Sequence, residues 1–489
     1  MRKLLSQPTV PAYVQGFAAP GIENSKFTFE SLINYHLASM VALSEQGLVP
    51  KARARRLVGA LLEIRKRGVD ALEIDPGLED LQPNVEKAVI ALIGPEDAGD
   101  FGIGRARAEF GHIACHLALR DETLATLREQ LRLNRALLDL ASKHVETKAP
   151  YYTQHMRAEA ITFGYYFSTF AEAFLHDAYR ARDAYARFAL SPAGIGHIVP
   201  TLRIDRKRLA ELIGLGEPVR HSLYAYLNSD LYVDVLGAAS LTAATISRLC
   251  LDFWWWASNE LEIIKFADEY CGGSFIMPHK RNPSWLKPLR FSSMAVKARH
   301  DEALELWMHS TPMLLVGSLG IPWIASEGLK SLRYGCDLLG GALSTLSIDS
   351  KHSADVAAQD FTQSSQLVAM IVTRQQASWR QAEHIVGKFV KEAIDAGAPA
   401  SSLKFDRLIA AGQDIVGRKI DLDREEFQKA LDIDAIIASR GDCGPAPTAV
   451  RQAIASIAKD VKGLDDWAEA EQRRIAQCWK RTEDLARQI

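Results

Sequence analysis

The feature that most constrains this chain is where its prolines are missing. None occurs between Pro95 and Pro150, between Pro150 and Pro192, between Pro218 and Pro278, or between Pro322 and Pro399. Proline interrupts helices, so these Ala/Leu-rich stretches permit long ones. From Ser222 to Asp268 apolar residues fall at Leu223, Tyr226, Leu227, Leu231, Val235, Leu236, Leu241, Ile246, Leu249 and Phe253. Spacings mostly of three to five fit a helical face better than strand alternation. They predict a helix that could exceed about 40 residues, roughly 60 Å. Helices of that length imply an extended bundle buried against partner subunits. No β-α-β alternation and no internal repeat is visible. The expected fold is all-α: a long central bundle over 105–355 between smaller helical domains, 1–104 and 356–489.

Charge and cysteine usage exclude several functions. The chain of 489 residues has 58 Lys and Arg against 60 Asp and Glu. That balance, without a long basic run, argues against nucleic acid as a partner. The six cysteines are Cys115, Cys250, Cys271, Cys336, Cys443 and Cys478, scattered and without a C-x-x-C pair. They read as reduced thiols of a cytoplasmic protein rather than as a disulfide framework or zinc site. Met1 to Phe17 lacks the apolar run of a signal peptide. The stretch Met313 to Ala325 is greasy, but it is short and holds Gly317, Ser318, Gly320 and Pro322, so no membrane partner is expected.

The chemistry concentrates in Gly272-Gly273-Ser274-Phe275-Ile276-Met277-Pro278-His279-Lys280-Arg281-Asn282-Pro283. Two glycines give backbone freedom and let amides approach a ligand. Ser274 brings a hydroxyl and Lys280 a cation. Asn282-Pro283 has the form of a helix start, with Asn as N-cap and Pro in the first turn. A helix N-terminus beside a lysine is an anion site. On residues alone the segment could equally be a turn between two helices with Lys280 solvated.

The fixed spacing G-S-F-I-M-P-H-K-R-N-P resembles the G-S-S-x-M-P-x-K-x-N-P signature of the aspartase/fumarase superfamily, with Phe275 where a second serine is usual. Other segments resemble its argininosuccinate lyase branch. Glu79-Asp80-Leu81-Gln82-Pro83-Asn84-Val85-Glu86 is similar to E-D-x-H-x-x-x-E, with Gln82 for the histidine. Gly104-Arg105-Ala106-Arg107-Ala108-Glu109 is similar to G-R-S-R-N-D. Tyr152-Thr153-Gln154-His155 with Ala158 to Gly164 resembles Y-T-H-x-Q-x-A-Q-P-x-T-F-G. Ala382 to Gly387 resembles A-H-x-x-V-G, with the histidine one place late at His384.

The resemblance implies a lyase that performs β-elimination on a succinyl compound and releases fumarate. It implies no cofactor and no metal, a small dicarboxylate substrate, and a homotetramer whose sites combine segments of three subunits. Ser274 matches the family's general base, and Lys280 and Asn282 would hold the doubly charged aci-carboxylate. Fixed cations and amide donors stabilise such charge best in a dry site. Arg107 and Thr153 match carboxylate-binding residues, and an arginine fork suits bidentate recognition. The plain alternatives are a capping hydroxyl for Ser274, a salt bridge for Arg107 and a helix-start hydroxyl for Thr153.

Some positions depart from the family. Gln154 replaces a histidine linked to proton delivery and cannot titrate; His155 is adjacent but points elsewhere on any regular element. Ala108 replaces an asparagine. Met313 to Gly320 is apolar where the branch has Y-N-x-D-x-Q for the arginine half. A site built to hold a guanidinium would not lose those groups lightly. The expected substrate is therefore an N-substituted aspartate other than argininosuccinate. The alternatives are nitrosuccinate, an aminopolycarboxylate, argininosuccinate itself, or a structural relative without catalysis. His112 and His116 have i, i+4 metal-ligand spacing, but without a third ligand they read as packing or pocket lining. His197 sits on a glycine-containing loop that could face ligand. Trp254, Trp255 and Trp256 are consecutive, so on a helix they must face different ways and suit core or subunit contacts.

Overall fold

The computed structural model describes residues 7–196, 198–199, 202–227, 229–311 and 317–489. The longer helices are α1 (Phe29–Glu45), α2 (Lys51–Arg67), α3 (Leu81–Ile93), α4 (Arg107–Lys143), α5 (Phe163–Ala186), α6 (Asp230–Trp256), α7 (Leu286–Met308), α8 (Gly317–Thr345), α9 (Ser364–Thr373), α10 (Trp379–Asp395), α11 (Phe405–Val416) and α12 (Pro447–Gln488). The fold is all-α, as the proline spacing predicts. Its strands are two short antiparallel pairs among the described residues: β1 (Lys148–Thr153) with β2 (Met156–Thr162), and β3 (Ile264–Lys265) with β4 (Ser347–Ile348).

Helices α4 to α8 pack side by side as the central bundle. Successive helices run in opposite directions. His116 of α4 meets Phe188 just past α5 with ring centroids 5.1 Å apart, and Phe188 meets Tyr232 at the start of α6 at 6.3 Å. At the other end Phe163, which begins α5, packs on Trp256, which ends α6, at 4.9 Å. Leu231, Val235, Leu236, Ile246, Leu249 and Phe253 of α6 are buried in this core, while Leu241 turns outward. The stretch Ser222–Trp256 is long and apolar enough to cross a membrane by length and composition. Half of its most apolar window is buried against neighbouring helices.

The long helix expected from Ser222 to Asp268 stops earlier, at Trp256. The segment Ser258-Asn259-Glu260 turns the chain, and Ile264–Lys265 then pairs as β3. One glycine is required where α5 crosses the end of α4: a Cβ on Gly164 would lie 2.6 Å from the Cα of Val145.

Helices α1 to α3 wrap the start of α4 in a second core that includes Tyr35, Leu57, Val85, Phe110 and Ile113. Helices α9 to α11 form a third core with Phe427. Helix α12 returns along the molecule: Val450 to Ile475 join the bundle core and Ala486 joins the N-terminal one. The bundle thus has two distinct ends. One lies at the start of α4, against α1 to α3. The other lies at the β1–β2 hairpin, where Arg157 pairs with Asp360 and Glu159 with Arg440.

Candidate active site

At the first end, Arg107 opens α4. Its guanidinium lies 3.4 Å from Glu79 and 3.8 Å from Asp80. Asp80 is also the N-cap of α3, accepting from the Leu81 amide at 3.1 Å. Burial raises the Asp80 carboxyl above its ordinary value, and the Arg107 charge partly offsets this. Glu79 has φ 70°, in the left-handed region. Such a backbone costs a non-glycine residue about 1 kcal/mol or more and tends to occur where geometry serves function.

These residues border a cavity of about 580 Å³. Ala108, His112 and Cys115 line it from α4, Gln82 from α3, and Phe17 and Phe27 from the N-terminal segment. Burial pushes the His112 imidazole down to about 4 and the Cys115 thiol up to about 12, so both are neutral near pH 7. His116 turns away from the cavity and bonds the Phe188 carbonyl at 3.0 Å, so the two histidines serve different surroundings.

Sequence reasoning did not single out Glu109. It is fully buried, accepts from the Tyr35 hydroxyl, and accepts from the amides of Gly194 at 2.8 Å and Gly196 at 2.5 Å. It thereby ties the loop after α5 to the helix that carries Arg107. Desolvation raises its carboxyl, and these donors work against the rise. Its signal was a charged residue at the start of an amphipathic helix, which sequence patterning normally assigns to solvent. Glu79 and Asp80 were visible only as part of a motif.

At the second end, Thr153 closes β1 and pairs with Met156, so Gln154 and His155 are the two central residues of a tight hairpin turn. Their φ values are 53° and 63°. Two positive φ values in a two-residue loop make a type I′ turn. Thr153 therefore lies on a strand, not at a helix start. All three residues are exposed. The His155 ring stacks on Trp255 at 4.8 Å and 26°. Trp256 is buried, while Trp254 lies under the Arg290 guanidinium at 5.4 Å, so the three tryptophans face three ways.

The Gly272–Pro283 loop sits at the same end, anchored by Trp285 against Phe266 at 5.0 Å and Phe253 at 6.5 Å. Asn282 does not cap a helix. Its amide donates to the Gly272 carbonyl at 2.8 Å and its carbonyl accepts from the Gly272 amide at 2.9 Å, closing the loop at its neck. Helix α7 begins later, after Trp285, without a side-chain cap. The neck leaves no room for a side chain, since a Cβ on Gly272 would lie 2.6 Å from Ser284 Oγ. The expected helix dipole behind Asn282 is thus replaced by a pinned loop. Within it Ser274 is half-buried and its Oγ accepts from the Met277 amide at 3.2 Å. Lys280 is exposed and no carboxylate among the described residues lies within ion-pair distance of it. Phe275 is 106% and Ile276 80% exposed.

One chain therefore does not bring all the expected residues together. Thr153, Gln154, His155, Ser274, Lys280 and Asn282 share one end of the bundle. Arg107 sits at the other, separated by the 37 residues of α4. That helix is about 55 Å long. His197 and Met313–Val316 lie outside the described residues.

Comparison with known proteins places the chain in a family. A family profile described as a lyase matches residues 7–297. The argininosuccinate lyase of Methanoculleus marisnigri is 30% identical over 440 residues, covering 88% of this chain and 87% of that protein. Argininosuccinate lyase 1 of Shouchella clausii is 27% identical, with 91% of each chain covered. Among solved structures, an EDDS lyase in complex with formate superposes with a TM-score of 0.85 at 23% identity, over 99% of this chain and 96% of that one. The chain belongs to this lyase family, as a member of the argininosuccinate lyase branch of the aspartase/fumarase superfamily.

Proposed function

We propose that the chain is a carbon–nitrogen lyase that splits an N-substituted aspartate into fumarate and an amine, in a homotetramer whose sites are shared between subunits. The observation that carries this reading is the pairing of opposite ends. The loop with Ser274 and Lys280 leaves Phe275 and Ile276 in solvent, an arrangement suited to being covered by another copy. The Arg107 end offers a carboxylate-binding fork beside a ready cavity. Because α4 holds the two apart, one site needs Arg107 from one subunit and Ser274 from a partner.

In this mechanism Ser274, as an alkoxide, removes the proton from the substrate's β-carbon. The electron pair is held as the aci-carboxylate against Lys280 and the loop amides, with Asn282 keeping the loop closed. That pair then forms the carbon–carbon double bond, and the carbon–nitrogen bond breaks with its electrons on nitrogen. The nitrogen takes up a proton and leaves as the amine. A serine base requires a water-poor surround with donors and positive charge. Covering the loop on assembly supplies the first and Lys280 the second. Thr153 binds substrate carboxylate from the hairpin. Gln154 cannot deliver the proton, and His155, held against Trp255 in the turn, is the titratable group beside it.

The test is the appearance of the fumarate absorption band with a panel of N-substituted aspartates, for the wild type and Ser274→Ala. Equal turnover would sink the serine-base assignment. Gln154 also favours a second reading, in which the leaving group is nitrite and needs no acid. Nitrite rather than amine among the products of nitrosuccinate and aspartate substrates would select it.

A further inference from the structure

We propose that the cavity beside Arg107 holds the amine half of the substrate, and that this amine is a primary amine carrying an apolar substituent of about aromatic size. The inference rests on the fumarate-releasing reading above and deepens it.

The charges at the cavity mouth come first. Arg107 is already held by Glu79 at 3.4 Å and Asp80 at 3.8 Å. A ligand that brings only negative charge would pull the guanidinium away and leave two carboxylates facing each other. A ligand with an ammonium next to a carboxylate does neither: the carboxylate takes the Arg107 fork and the ammonium takes the acids. An N-substituted aspartate carries this pair on adjacent atoms. Nitrosuccinate does not.

The depth of the cavity says what is attached to the nitrogen. Glu79, Asp80 and Arg107 are the charged side chains among its described lining residues, and all three belong to one ion-pair cluster. His112 is neutral near pH 7 because burial holds it at about 4. Among the described lining residues of one chain there is no second cation for the carboxylate of an aminopolycarboxylate or of arginine. Two of the polar lining groups are already committed. The Ser25 hydroxyl donates to the Ile22 carbonyl at 2.8 Å and the Thr28 hydroxyl to the Ser25 carbonyl at 2.7 Å. The remaining wall is dominated by Phe17, Phe27, Leu32, Leu81, Pro322 and Trp323. A volume of about 580 Å³ falls within the usual range for ligand pockets, about 300–1,000 Å³. It has room for a ring beyond the aspartyl half. A polar amine would meet Tyr13, Asn24 and Gln82 but would lose water against the larger, apolar part of the wall.

The experiment runs the assembled enzyme in the direction of addition. Fumarate consumption is followed with benzylamine, phenethylamine, ethanolamine, glycine and arginine as the amine. Burial of a ring should raise kcat/KM for the aromatic amines over ethanolamine and glycine by about ten- to a hundredfold. Phe17→Ser, at a residue 71% exposed and so dispensable for folding, should shrink that ratio several-fold while the rate with ethanolamine changes less. Trp323→Leu repeats the test from the opposite wall. Glycine, ethanolamine or arginine added as efficiently as benzylamine overturns the apolar-amine assignment and leaves the lyase reading standing. Consumption of fumarate with none of the amines overturns the lyase reading itself.

Discussion

At one end of the bundle Arg107 is locked between Glu79 and Asp80 over a walled cavity, with Glu109 and Tyr35 buried behind it. At the other end Phe275 and Ile276 stand in solvent beside Ser274 and Lys280, and Thr153, Gln154 and His155 ride on an exposed turn. The first end is largely built within a single chain: Arg107 is paired and its cavity walled, although Phe17 in that wall stays 71% exposed. The second is stiff but uncovered, pinned by the Gly272–Asn282 neck and by the Trp285 anchor. The difference teaches how the labour divides. On the proposed reading, the packed end recognises and the open end supplies reactive groups to a cavity on another copy.

The largest way to break this comparison is to remove the base. Ser274→Ala should lower kcat by about 10²–10⁴-fold, the usual contribution of a positioned general base. Its urea midpoint should match the wild type, because the hydroxyl's hydrogen bond is to one amide of an exposed loop. A matching fall in stability would mean that the open end is structural after all.

The packed end responds instead to pH. Burial holds His112 at about 4 and His116 at about 3, below the ordinary 6.5. Both are neutral in the folded chain at pH 7. The unfolded chain takes up protons near 6.5, whereas the folded chain resists until about 4 or lower. Stability is therefore full above 6.5 and lost as pH falls toward 4, by about 3 kcal/mol for each histidine. Urea midpoints across that window should show the slope, and His116→Gln should flatten part of it.

Arg107→Met should cost about 2 kcal/mol of transition-state binding, about thirtyfold in kcat/KM. Most of it should enter through KM if the fork grips the ground-state carboxylate. A pure kcat effect would move Arg107 from binding into the chemical step. The smallest effect is expected at the loop's apolar tip. Phe275→Ser should weaken assembly by about 1–2 kcal/mol, seen as smaller species on dilution in size-exclusion chromatography. It should leave the helical content unchanged.

Much of this was legible in sequence, for reasons that differ by element. Long helices follow from missing prolines because proline acts locally and strongly. The Gly272–Pro283 loop was legible as a motif, but its shape was not. Asn282 and Pro283 carry every local mark of a helix start, yet the backbone pairing with Gly272 outweighs them, and α7 begins only after Trp285. The β1–β2 hairpin was hidden because Gln154 and His155 occupy turn positions that usually demand glycine or asparagine. Glu109 was hidden for another reason. Patterning places a carboxylate in water, and only the folded chain shows the donors that let it be buried.

The central claim is that Arg107 and Ser274 work in the same site only across subunits. It is tested most directly by mixing the two inactivated proteins, Arg107→Met and Ser274→Ala, under conditions that let subunits exchange. The account predicts that fumarate release returns in the mixture, because some sites then combine an intact Arg107 from one copy with an intact Ser274 from another. A mixture no more active than its components, with mixed oligomers shown to have formed, would contradict it.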